Sequence, residues 1–254
     1  MQKYFDINKE GFSVRCKLYY HKDLHDLKDI VVATYGFGGN KDNKAIEKFA
    51  MRITSKYKHY GVICFDWPAH GQDARNKLVI DECITYLRLV NTYIEEEMGI
   101  TSLYHYASSF GAYVLLRMLH EEGSCYKKIA LRCPAIKMYD SLAQDIDESE
   151  WSKLAKGKDV IRGYDRKIKL DQAFFDDLKS HDISQYDYLE YADDILMIHG
   201  TKDTMVPIAV TRAFSENNVI ELLEVENADH PFSNPKYMDE AIDAIIHFFS
   251  PTSH

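Results

Sequence analysis

Ala107-Ser108-Ser109-Phe110-Gly111 lies between an aromatic, apolar run and a run with helical spacing, the setting in which a serine can serve as a nucleophile. Ser102-Leu103-Tyr104-His105-Tyr106 reads as a strand, and Ala112-Tyr113-Val114-Leu115-Leu116-Arg117-Met118-Leu119 as a helix with a buried face. A tight strand-to-helix turn lifts the hydroxyl clear of the sheet but forces that residue into an unfavourable backbone conformation. The residues two before and two after it must then be small. Ala107 and Gly111 flank Ser109 in this way, whereas Ser108 would put Tyr106 and Phe110 at the crowded positions. Ser109 is the candidate nucleophile.

A serine hydroxyl near neutral pH needs a base, and a histidine acting as that base needs a carboxylate to fix its tautomer and stabilise the developing imidazolium. Both types follow downstream. Ile198-His199-Gly200-Thr201-Lys202-Asp203 ends an apolar strand in a turn that can project Asp203, and Ala228-Asp229-His230-Pro231-Phe232 follows a strand expected over Val219 to Val225. His247 falls in an apolar helix and His254 ends the sequence, which leaves His230 as the post-strand histidine beyond Asp203. Asp229 is expected to point elsewhere. Tyr35-Gly36-Phe37-Gly38-Gly39-Asn40 follows another apolar strand, and the backbone N–H groups of Phe37 and Phe110 are placed to hold a carbonyl oxygen as it gains charge. The loop lacks the GxGxxG spacing and the Gly-Lys-Ser/Thr ending of a phosphate cradle.

The elements that must position these residues are legible as patterns. Phe12, Val14, Cys16 and Leu18 alternate with polar residues, predicting a half-buried antiparallel strand at a sheet edge. Ile30 to Thr34, Gly61 to Phe65, Ile129 to Leu131 and Ile195 to Ile198 are continuous apolar runs, as in parallel strands covered on both faces. Helices are expected over Ala45 to Tyr57, through Val79, Cys83, Leu87, Val90 and Ile94, after the serine turn, and over Tyr237 to Phe249. Alternation of this kind predicts an α/β fold with a mostly parallel, doubly wound sheet, which places ligands at the carboxyl ends of its strands. From about Pro134 to Tyr191 the alternation breaks into acidic helices, Trp151, a Gly163-Tyr164 turn, a short hairpin and Phe174-Phe175. An excursion of that length is read as an inserted cap within one domain spanning 1–254. Its aromatics, Trp151, Tyr164, Phe174 and Phe175, are expected to pack a small core of the cap itself.

Tyr35 to Asn40, Asp66-Trp67-Pro68-Ala69-His70-Gly71, Ala107 to Gly111, His199 to Asp203 and Ala228 to His230 together resemble the serine esterase branch of the α/β-hydrolase superfamily. Within it, the loop after the first parallel strand, the D-x-x-x-H-G turn and the length of the cap are most similar to bacterial cinnamoyl (feruloyl) esterases. Monoacylglycerol lipases, thioesterases and prolyl oligopeptidase-like peptidases share the core motifs. The resemblance implies an α/β-hydrolase fold with an inserted cap, cleavage of carboxylic esters through Ser109, Asp203 and His230, and an acyl-enzyme. It also implies that Asp140, shortly after Pro134-Ala135, contacts a phenolic hydroxyl of the acyl group. Trp67 faces either the pocket or the core, and Asp66 and His70 are read as structural. Two positions depart from the usual pattern: Ala107 replaces the first glycine of the serine turn, and Tyr35 replaces the histidine before the oxyanion glycine.

Composition narrows the remaining classes. The 254 residues carry a formal net charge of -9, and basic stretches such as Lys153 to Lys158 and Arg162 to Lys169 are interleaved with acids, which disfavours a nucleic-acid binder. The first residues lack the apolar core of a signal peptide, and no run of about 18 apolar residues could span a bilayer, so a cytoplasmic location without membrane insertion is expected. Five cysteines without paired short spacings suggest neither a disulfide framework nor a zinc site. The expected partner is a small-molecule ester; no metal or organic cofactor is required, and homo-oligomerisation stays open. A peptidase would need a carboxylate- or amine-reading feature in the cap, which the sequence does not identify. A non-catalytic binding protein on this fold would usually have lost one of Ser109, Asp203 and His230.

Overall fold

The computed structural model describes residues 1–163 and 165–250. Tyr164 and His254 therefore lie outside the described residues. In chain order the strands of the main sheet are β1 (Gln2–Lys9), β2 (Phe12–Tyr19), β3 (Asp29–Thr34), β4 (Tyr60–Phe65), β5 (Ser102–Ser108), β6 (Tyr126–Arg132), β9 (Ile195–Gly200) and β10 (Glu221–Val225). Helices α1 (Lys44–Lys56), α2 (Ile80–Glu96), α3 (Phe110–Glu122), α7 (Ile208–Asn218) and α8 (Pro235–Phe248) alternate with them. Their spatial order is β1-β2-β4-β3-β5-β6-β9-β10, and every pairing from β4 to β10 is parallel.

Burial explains the sequence patterns. Every residue of β4 and of β9 is buried, which is why these strands read as unbroken apolar runs rather than alternating ones. In α1 the buried residues Ile46, Phe49, Ala50 and Ile53 recur with the helical period, and Asn43 caps the helix by accepting the N–H groups of Ala45 and Ile46. Pro235 opens α8 behind an Asn234 cap, and Ala241, Ile242, Ile245 and Ile246 form its buried stripe.

One expectation is corrected. β2 is antiparallel, as its alternation predicts, but it is not the edge strand: β1 pairs along its whole length and covers that edge. The connection is Glu10-Gly11, with φ of 56° and 77°, the left-handed pair that a two-residue hairpin requires. β1 left no sequence pattern because only Ile7 in it is buried.

Between β6 and β9 the chain forms α4 (Met138–Ala143), α5 (Glu148–Ala155), the hairpin of β7 (Val160–Arg162) with β8 (Ile168–Leu170), and α6 (Gln172–Ser180). Trp151 and Phe174 pack on Phe175, with ring centroids 5.1 and 5.4 Å away, so these aromatics build the insertion's own core. The insertion is tied to the sheet layer at several points. Lys169 exchanges backbone hydrogen bonds with the Asn76–Leu78 segment, and the Arg166 guanidinium donates to the Gly71 carbonyl at 2.6 Å. Arg117 of α3, itself buried, pairs with Asp177 of α6 at 2.5 Å as well as with Asp81 and Glu121. Among the described residues no helix is long and apolar enough to cross a membrane.

Candidate active site

Ser109 is the hinge between β5 and α3. Its backbone has φ 50° and ψ -115°, a conformation that costs a non-glycine residue roughly 1–3 kcal/mol and persists because its surroundings hold it. The holding contacts are specific: Ser109 N–H donates to the Arg132 carbonyl at 3.1 Å, while its own carbonyl accepts from Ala112, Tyr113 and Ala135. Small flanking residues are needed for the reason the sequence suggested. A Cβ on Gly111 would lie 2.8 Å from Thr34 Oγ1 and 2.9 Å from the Tyr35 carbonyl oxygen. Ala107 is fully buried, paired between Thr34 and Leu131 in the adjacent strands.

The three sequence-selected side chains converge. His230 Nδ1 lies 2.6 Å from Asp203 Oδ2, and because the carboxylate only accepts, that nitrogen carries the hydrogen. The bare Nε2 then faces Ser109 Oγ at 3.0 Å and can accept its proton. The turn after β9 and the loop after β10 are drawn together by Thr201 N–H on the Val225 carbonyl and Lys202 N–H on the Ala228 carbonyl, at 3.1 and 2.9 Å. Burial by itself would raise the Asp203 carboxyl, but hydrogen bonds from His199, His230 and the Val206 N–H outweigh it and hold the group well below the usual carboxylate range. Asp229 points away, its carboxylate accepting the Ser233 N–H at 2.7 Å.

The loop after β3 forms the other wall. Gly36 lies so close to the nucleophile that a Cβ there would sit 3.2 Å from Ser109 Cβ. Phe37 packs edge-on against Phe110, and among the described residues the backbone N–H groups of both are used in no hydrogen bond. Tyr35, the departure from the usual histidine, is fully buried, and its hydroxyl accepts the Trp67 N–H at 3.0 Å. His70 closes the arrangement. Its Nδ1 lies 2.9 Å from the Pro68 carbonyl and so carries the hydrogen, which leaves Nε2 to accept the Gly38 N–H at 3.0 Å. Burial pushes the His70 pKa down to about 4, so the acceptor form prevails near neutral pH. Asp66 pins the same turn by accepting Lys41 N–H, Lys41 Nζ and Gln72 N–H. The structural roles read for Asp66 and His70 match these contacts.

Trp67, left open between pocket and core, and Asp140 lie as follows. Trp67 is fully buried, its indole N–H directed at the Tyr35 carbonyl at 3.3 Å, so it presents no surface to a ligand and belongs to the core. Asp140 is exposed on the first turn of α4 and lines a cavity of about 230 Å³ with Tyr113, Ile136, Tyr139, Leu178 and Lys179; Ser109 does not border it.

Sequence reasoning missed three residues around the triad. Arg132, buried at the end of β6, donates to the Tyr106 hydroxyl at 3.1 Å and to the His230 carbonyl at 3.0 Å, clamping the histidine loop to the strand that carries Ser109. Its signal was a lone arginine closing an apolar run. Cys133 and His199 lie beside Asp203, with ligand-type atoms within 4.8 Å of one another. That donor set could attract a soft cation, but the Asp203 oxygens are engaged by N–H groups and burial pushes the Cys133 thiol up to about 12, away from the thiolate a metal needs. The cluster fits a hydrogen-bonded group better than a metal centre.

Strand order, the parallel core and the strand-end loops define an α/β-hydrolase fold. The chain is similar to Est1E from Butyrivibrio proteoclasticus with ferulic acid bound, at TM-score 0.76 and 15% identity over 96% of this chain and 97% of that one. A hydrolase from Agrobacterium vitis S4 described as putative gives TM-score 0.76 and 15% identity over 98% and 99% of the two chains. The esterase Pf2001 from Pyrococcus furiosus gives TM-score 0.66 and 18% identity over 98% and 91%. No protein-family model and no curated protein matches the chain.

Proposed function

We propose that the protein is a serine hydrolase of carboxylic esters. The observation that carries this reading is the hydrogen-bonded chain from Ser109 Oγ through His230 to Asp203. Ser109 Oγ attacks the ester carbonyl carbon while its proton passes to His230 Nε2, and the carbonyl oxygen becomes an oxyanion held by the Phe37 and Phe110 N–H groups. Collapse breaks the bond to the alcohol oxygen, which leaves with the proton from His230. Water, deprotonated by the same nitrogen, then releases the acid and restores Ser109. Asp203 keeps the imidazole in the required tautomer and stabilises it when protonated.

Within that activity, esters of aromatic acids of the hydroxycinnamate kind are the preferred substrates, with the insertion over 134–191 acting as the cap that shapes the acyl site. Support comes from the shared fold with a protein that has ferulic acid bound. Small acyl esters, monoacylglycerols and thioesters are the competing substrates.

The test is labelling by a fluorophosphonate probe together with p-nitrophenyl ester turnover. Wild type should label and turn over, and Ser109→Ala should do neither, losing at least about a thousandfold in rate while keeping its fold. Ser108→Ala, one residue away, is the matching control and should label. Retained turnover in Ser109→Ala sinks the assignment; a panel of hydroxycinnamate, short aliphatic and monoacylglycerol esters then decides the acyl preference.

A further inference from the structure

Asp203 faces two imidazoles rather than one. His199 is the penultimate residue of β9 and is fully buried; its Nε2 lies 3.0 Å from the Val206 carbonyl oxygen and 3.2 Å from Asp203 Oδ2. Both neighbours only accept, so Nε2 carries a hydrogen, and that N–H is donated to the Val206 carbonyl with the Asp203 carboxylate beside it. The same Oδ2 receives the His230 N–H, while Oδ1 accepts the Met205 and Val206 N–H groups at 2.9 and 2.8 Å. His199 therefore grips the Asp203–Val206 turn at its carbonyl and stands beside the carboxylate oxygen that faces the base. In the reaction proposed above it has no part to play as acid, base or nucleophile, and its Nδ1 has no partner among the described residues.

We infer that His199 is a positioning residue for the acid–base pair: it fixes Asp203 Oδ2 against His230 Nδ1 and, by placing a second N–H beside that oxygen, weakens His230 as a base. A carboxylate that bonds one imidazole alone directs all of its negative charge at that ring and favours the imidazolium; a second N–H donor draws part of that charge away. The other charged and titratable groups around the pair are Arg132 from β6, which reaches the His230 carbonyl, Cys133 just beyond it, Asp229, whose carboxylate is turned to Ser233, and Glu224, opposite His199 in β10 and paired with Arg212.

The consequence for rate rests on the proposed esterase reading, whereas the hydrogen-bond effect can be measured without turnover. The His230 imidazole is followed by NMR titration in the full chain, alongside the pH dependence of kcat/KM for p-nitrophenyl acetate. His199→Leu removes the donor and should move the His230 titration and the acidic limb of the rate profile upward by about half a pH unit or more. His199→Gln, whose amide nitrogen can reach the same acceptors, should restore most of the shift. An unmoved or lowered titration in the leucine variant, or a glutamine variant indistinguishable from it, overturns the inference. If His199→Leu does not fold, His199→Asn, whose shorter amide falls short of both acceptors, is read by the same criterion. Absence of ester turnover in the wild type would remove the esterase reading and leave the titration to judge His199.

Discussion

The strand-end loops and the insertion solve the same problem, holding side chains in place above a sheet, by different physical means. Around Ser109, Asp203 and His230 the restraints are main-chain hydrogen bonds between adjacent strands and turns, reinforced by fully buried side chains such as Tyr35, Trp67 and His199. The insertion has its own small aromatic core, but its ties to the rest include ion pairs, Arg117 with Asp177 and Lys77 with Asp171, the Arg166 clamp on the loop after β4, and the Lys169 backbone bonds to Asn76 and Leu78. Buried backbone bonds tolerate few substitutions; partly exposed ion pairs contribute little each and can be exchanged. Reaction geometry is thus built into the least alterable part of the chain, and the region proposed to select the acyl group into a more adjustable part.

The largest test of this contrast is Asp203→Asn. The amide keeps the size of the carboxylate but stabilises the wrong imidazole tautomer, so kcat should fall by about three to four orders of magnitude with little change in KM. Steady-state kinetics on a p-nitrophenyl ester reads it, and a loss under tenfold would break the assigned role.

Acid comes next. His70 titrates near 4 when folded against 6.5 unfolded, because burial disfavours its charged form. The unfolded chain therefore binds more protons between these values, and the stabilisation is complete above the unfolded value and lost as pH falls from there toward 4. A depression of this size corresponds to roughly 3 kcal/mol. Buried His105, pushed down to about 3 by desolvation, adds a loss of the same sign. Urea unfolding at neutral pH and near pH 5 measures the sum. Protonation also converts the His70 acceptor for Gly38 N–H into a donor, so ester turnover should drop before the protein unfolds. Stability that stays flat across this range would contradict the account.

Gly111→Ala should cost about 1–3 kcal/mol, because a methyl there meets the Tyr35 backbone rather than a flexible side chain, and should lower kcat by displacing Ser109. Smallest is Asp177→Asn. Arg117 keeps Asp81 and Glu121, so stability should change by less than about 1 kcal/mol, while KM for bulky esters should shift more than kcat. A large kcat effect here would erase the proposed division between the two regions.

Much of this was legible from the chain itself. Continuous apolar runs identified the parallel strands because burial on both faces leaves no alternation, and the small-residue requirement separated Ser109 from Ser108. β1 was not legible, since a strand with one buried residue has no pattern to read. The reading of β2 as the edge strand followed from that omission. Trp67 stood undecided because a residue after a strand can turn to either side of the loop, and the side was settled by Tyr35 and Phe110 packing around it.

By itself the sequence determined which residues have the chemical types for nucleophile, base and orienting acid, and that each follows an apolar strand. Local propensity and burial periodicity act within a few residues, so one chain is enough to carry them. Tertiary structure alone decided that Ser109, His230 and Asp203 meet within hydrogen-bond reach, that Arg132 and His199 brace them, and that Gly36 backs onto Ser109. Those contacts join segments up to 121 positions apart, and they exist only once the sheet has set the order of its strands.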